Sequence, residues 1–118
     1  MKLMQRTMVA RCRMIVALAA VTAFAAPALA SQASMGTVYG VMARDTGNAF
    51  FFQTGTRTAR PACATEDRWV FGITTPTGQA MMATLLTAYA TGRNVTIQGT
   101  GVCSVWSDTE TVKSVQAW

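Results

Sequence analysis

The chain has no histidine, and only five of its 118 residues are acidic. The first absence removes the commonest general base and the commonest metal ligand. The second leaves two carboxylate clusters, Glu66-Asp67 and Asp108-x-Glu110. Both fall at strand or turn boundaries, where a solvated charge is the ordinary arrangement, and an acid–base pair would need two positioned carboxylates. No G-x-S-x-G elbow, S-x-x-K, P-loop or dinucleotide glycine motif occurs. Cysteine is scarce, with Cys12 early and Cys63 and Cys103 later. The expectation is a protein that is not an enzyme, with no catalytic residues, no metal and no cofactor.

What is present begins with an export pattern. Lys2, Arg6, Arg11 and Arg13 precede the apolar run Met14–Ala26, and Ala28-Leu29-Ala30 is a small-x-small cleavage site. Residues 1–30 thus read as a signal peptide and residues 31–118 as a single domain, secreted or periplasmic. The apolar run is too short to span a bilayer, which takes roughly 20 residues. No later segment could cross a membrane. Without the first thirty residues, six basic side chains (Arg44, Arg57, Arg60, Arg68, Arg93, Lys113) face five acidic ones, a net charge of +1. The basic character of the whole chain therefore belongs to its leader, and a nucleic-acid partner is not expected, because phosphate backbones are held by clustered Lys and Arg. Export places Cys63 and Cys103 where disulfides form, and a small domain gains from such a staple.

Hydropathy and turn chemistry give the element order. Ser31–Met35 reads as a polar lead-in, Gly36–Ala43 as a strand and Arg44–Asn48 as a turn. Ala49–Thr54 (AFFFQT) is the returning strand, its three phenylalanines implying burial on both faces or one face against a partner chain. Gly55–Ala62 is a loop, and Glu66–Thr74 a third strand with Trp69, Phe71 and Ile73 on one face. Thr75-Pro76 starts a helix that Gly92 ends. Met81, Met82, Leu85, Leu86 and Tyr89 form its expected packed face. Gln79, Ala83, Thr84, Thr87 and Thr91 lie opposite, small and uncharged, as suits close approach of another helix. Asn94–Thr100 and Thr111–Trp118 complete the strands. The fold class is mainly β with one helix, in the order β-β-β-α-β-β. That is the layout of a five-stranded antiparallel OB-fold barrel, with an open sheet crossed by a helix as the alternative. Tyr39, Trp106 and Trp118 are aromatics that could stack on a sugar face or pack a small core.

The stretch Cys63–Trp106 resembles a segment of the pentameric binding subunits of AB-type bacterial toxins, of the subtilase-cytotoxin and typhoid-toxin type. It is also similar to other small secreted bacterial proteins of that layout. The resemblance rests on Cys63 ahead of the aromatic strand with Trp69 and Phe71, Leu85 and Tyr89 on the helix, the Thr91-Gly92 stop, and Val95 with Ile97 on the next strand. It covers about half of residues 31–118 and implies an OB-fold, a homopentamer with helices lining the pore, and binding of cell-surface glycans. The family's sugar site maps onto Ser34, Met35, Gly36, Gln98 and Gly99. Alignment on the glycine puts Met35 where the family has a serine, with Ser34 one residue away, and Gly99 stands where the family has a tyrosine. The expected function is a secreted glycan-binding, toxin-B-subunit-like homo-oligomer. The alternative is a monomeric secreted or periplasmic domain with a structural or inhibitory protein-binding role.

Overall fold

A computed structural model describes residues 30–118, so the leader lies outside the described residues, as does Cys12. The described chain is mainly β with one helix. Its strands are β1 (Gln32–Arg44), β2 (Ala49–Thr54), β3 (Arg57–Thr58), β4 (Trp69–Gly72), β5 (Asn94–Gly99) and β6 (Val112–Ala117), and α1 is Pro76–Thr91. They form an open antiparallel sheet in the order β4-β2-β1-β5-β6, with β3 added to β1. Strand β4 and the residue ahead of β6 meet at one parallel bridge, Val70 with Thr111.

Strand β1 joins the two halves of the sheet. Its first part, from Gln32 to Thr37, pairs with β5, and its second, from Val38 to Arg44, pairs with β2. The register shifts between Ala33 and Gly36 and again between Tyr39 and Met42. Bulges of this kind bend and twist a strand, which lets one thirteen-residue strand serve both neighbours. The lead-in expected at Ser31–Met35 is in fact the start of β1. Its polar residues sit on a half-exposed strand, where one face needs no apolar side chains. The loop expected at Gly55–Ala62 contains β3, too short to leave a periodic signal. The third strand contracts from Glu66–Thr74 to Trp69–Gly72, and the last from Thr111–Trp118 to Val112–Ala117.

The turn from β1 to β2 follows from its residues. The Asp45 carboxylate accepts from Thr46 N at 2.7 Å, and Gly47 and Asn48 take left-handed conformations (φ 74° and 45°). The phenylalanines of β2 divide between its two faces. Phe50 and Phe52 enter the main core with Trp69, Phe71, Leu85, Val95 and Ile97. Phe51 joins Ala49 and Val70 on the other side, under Met42, Val105 and Trp106, and meets the Trp106 ring edge-on at 5.2 Å.

The helix has the expected bounds. Thr75 Oγ accepts from Gly78 N at 3.0 Å, Pro76 stands at the first position, and Gly92 closes it with φ 65°. Its buried residues are Gly78, Leu85 and Ala88, with Met81 and Met82 packed partly against the core. Leu86 and Tyr89, expected in the packed face, are instead 41% and 54% exposed. The reason is that Gly78 and Ala88 let the backbone itself approach the sheet, and this rotates the larger residues outward. A Cβ at Gly78 would lie 1.9 Å from Gly72 O. A disulfide joins Cys63 to Cys103, with 6.2 Å between Cα atoms, and ties the loop before β4 to the loop before β6.

Candidate functional site

Alternation along three strands builds a polar groove. On β5, Val95 and Ile97 enter the core, so Thr96 and Gln98 face outward. On β6, Val112 and Val115 pack inward, and Ser114 and Gln116 lie on the other face. On β1, Ala33 is buried between Gln32 and Ser34. Register then aligns them, pairing Gln98 with Gln32 on one side and Ser114 on the other, and Thr96 with Gln116. The result is a depression of about 410 Å³ lined by Gln32, Ala33, Ser34, Thr96, Ile97, Gln98, Ser114 and Gln116. None of its lining residues ionises. Each amide supplies both donors and an acceptor, and each hydroxyl supplies one donor and two lone pairs. The Trp118 indole stands beside it, donating to Thr96 Oγ1 at 3.4 Å while the residue remains 49% exposed. Trp118 is held there by its own N–H to Asn94 O at 2.9 Å and by Arg93 Nε, which donates to Trp118 O.

The expected ligand residues divide. Ser34 and Gln98 share this groove. Ser34 Oγ already accepts from Thr56 N at 2.9 Å, which fixes its direction and leaves its proton free to donate. Met35 is exposed at 53%, and Gly36 packs against Gly55, but neither lines the groove. Gly99 is buried, and a Cβ there would meet Glu110 Oε1 at 2.0 Å. Gln32, Thr96, Ser114 and Gln116 are groove residues that sequence reasoning missed, while Trp118, one of the aromatics open to stacking or packing, is exposed beside them. Their signal was the polar alternate of NVTIQG and VKSVQA, legible only once the register of three strands is known.

A second cluster lies inside the protein. Glu110, expected as a solvated charge, is fully buried together with Ser31. Its Oε1 accepts from Ser31 N at 3.1 Å and Gly101 N at 2.8 Å. Its Oε2 accepts from Ser31 Oγ and from Arg57 Nη2, the latter at 2.5 Å. The partners come from both ends of the domain, which is why no local pattern revealed the burial. Arg57 also donates to Arg68 O at 3.0 Å and lies 4.0 Å above the Trp69 ring centroid. Burial lowers the Arg57 pKa, and the hydrogen bond and charge of Glu110 act in the opposite sense. Four donors saturate this carboxylate, so it has no free lone pair for acid–base work. Asp108 stands apart in a hydrogen bond from Thr109 Oγ1 (2.6 Å) and an ion pair with Arg68 (3.2 Å). These partners, Thr109 first, hold its carboxyl below the ordinary value. Among the described residues, no group of three or more His, Cys, Asp and Glu side chains is placed to hold a metal.

The helix face of Gln79, Ala83, Thr84, Thr87 and Thr91 faces away from the core. Thr84, Thr87 and Thr91 each donate their hydroxyl to the carbonyl four residues back, at 3.0, 2.8 and 2.7 Å. Their polar groups are thus partly satisfied within the helix. Ala83, Thr84, Thr87 and Ala88 line a shallow depression with Arg93 and Ala117. Among the described residues no helix is long and apolar enough to cross a membrane. Comparison with protein-family models, curated proteins and solved structures finds no match for the chain.

Proposed function

We propose that this protein is a secreted, glycan-binding module that works as a homo-oligomer. The observation that carries the reading is the groove, in which side chains from three strands offer amides and hydroxyls but no charge, beside an exposed indole. A sugar ring matches both parts. Its hydroxyls exchange hydrogen bonds with amides and hydroxyls, and its C–H face packs on an aromatic ring. We read the sheet, with its parallel bridge between Val70 and Thr111, as an OB-fold barrel. The likeness to toxin binding subunits belongs to the same proposal. In an assembly of that kind the helices face one another, and the small uncharged side chains Ala83, Thr84 and Thr87 suit such contact, as do exposed Leu86 and Tyr89. The ligand is then held at the sheet and the partner copies at the helix.

The test is a glycan array probed with the oxidised protein of residues 31–118, beside its Gln98→Ala and Trp118→Ala variants. Binding to a defined set of glycans that falls at least about tenfold in both variants supports the reading, a loss in the range expected for a polar contact or a stacked ring. Undiminished binding in both would move the sugar away from the groove. The second reading, a monomeric domain with a structural or inhibitory role, is separated by native mass. A single-chain mass with no glycan bound favours it.

A further inference from the structure

The first residue after the expected cleavage point is also the first buried one among the described residues. Ala30 is exposed and Ser31 is fully buried. Ser31 O accepts from Gly99 N at 2.8 Å, which fixes the backbone. Ser31 Oγ donates to Glu110 and accepts from Arg57 Nη2 at 2.9 Å. Its nitrogen lies 3.1 Å from Glu110 Oε1. In a continuous chain that nitrogen is an amide, and the bond has one neutral partner. At a chain terminus the same atom carries a positive charge.

We infer that cleavage between Ala30 and Ser31 places a new α-ammonium directly on buried Glu110, so that removal of the leader completes the internal charge cluster. Water splits the Ala30–Ser31 amide under an endopeptidase of the export route. Ala30 leaves as a carboxylate, and the Ser31 nitrogen takes up a proton to become −NH3+. No rearrangement is required, because the nitrogen already donates to the carboxylate. A charge-assisted hydrogen bond is about twice as strong as a neutral one. Glu110 then faces two cations, Arg57 and the terminus. The remaining N–H bonds of the ammonium open on the side vacated by exposed Ala30, where water hydrates them and limits the cost of burying the charge. The unprocessed chain lacks this ion pair and holds the same fold less firmly.

The inference rests on the cleavage reading and is independent of sugar binding. The mass of the exported protein checks the first, and a start at any residue other than Ser31 overturns the inference. The second test compares three forms of residues 31–118, which contain every strand and helix among the described residues. One has a free α-amine, one is Nα-acetylated and one is extended by Ala30. The free amine is expected to melt several degrees above the other two, with the difference lost in Glu110→Gln. Equal melting temperatures would overturn it, as would a difference that survives Glu110→Gln. Should Glu110→Gln not fold, acylation of the α-amine decides. In the native protein it is expected to be at least about tenfold slower than in the urea-unfolded chain, and equal rates would contradict the inference.

Discussion

Of the five acidic side chains, Glu110 alone is taken fully out of solvent. Its cost there is offset by four donors, one of them the paired guanidinium of Arg57. Removing one member of such a pair leaves the other charge buried without a partner, which typically costs about 3–5 kcal/mol. Glu110→Ala is therefore expected to destabilise the domain by that amount in urea unfolding, and Glu66→Ala, at an exposed site, by far less. Asp108 makes a smaller, pH-dependent contribution. Its folded-state pKa is lowered from the ordinary 3.8, chiefly by Thr109 and then by Arg68. Stability from this group is therefore present above about pH 4 and is lost as the pH falls through the lowered value. Melting temperatures taken from pH 6 down to pH 2 should drop less steeply for Asp108→Asn than for the parent. Glu110 also shows why part of the molecule was not legible in sequence. Asp108-x-Glu110 looks like a solvated turn, and one of its acids is. The other turns inward because Gly99 has no side chain to occupy the space it fills.

At the scale of elements, local chemistry determined what could be read. The helix limits follow from Thr75, Pro76 and Gly92, residues whose roles act within one turn of the chain. Thr75→Ala removes the cap to Gly78 N and is expected to cost about 1 kcal/mol. Gly92→Ala forces a side chain into a left-handed conformation and is expected to cost about the same. Chemical unfolding of the two single variants checks both values. The orientation of the helix was less legible, because Gly78 and Ala88 carry no strong apolar signal and yet define the contact with the sheet. Leu86 and Tyr89 looked like core residues for want of that information. Strand β1 was half hidden for a similar reason. Ser34 and Met35 belong to a strand because they lie between Ala33, paired to β3 and β5, and Gly36, paired to β5, and the register shift at that point breaks the alternation that would have revealed it.

At the scale of the molecule, a covalent bond ties the loop before β4 to the loop that carries Glu110. The Cys63–Cys103 link closes a loop with a sequence separation of 40. In the chain-entropy picture such a closure is worth about 4 kcal/mol. Reduction is expected to lower the denaturant midpoint markedly, and a Cys63→Ser/Cys103→Ser variant should reproduce the loss without reductant. The groove lies on the opposite side of β5 from the core, so its ligand residues contribute little to folding and can be changed with the fold intact. The most direct test of the account is therefore to locate a bound sugar. Backbone amide shifts of isotope-labelled residues 31–118 would be followed while hexoses, N-acetylhexosamines and a sialylated trisaccharide are added in turn. Saturable shifts centred on Gln32, Ser34, Thr96, Gln98, Ser114 and Gln116, with the Trp118 indole moving at the same midpoint, are the predicted result. Shifts centred elsewhere, or none with any of these sugars at millimolar concentration, would contradict the groove as a glycan site.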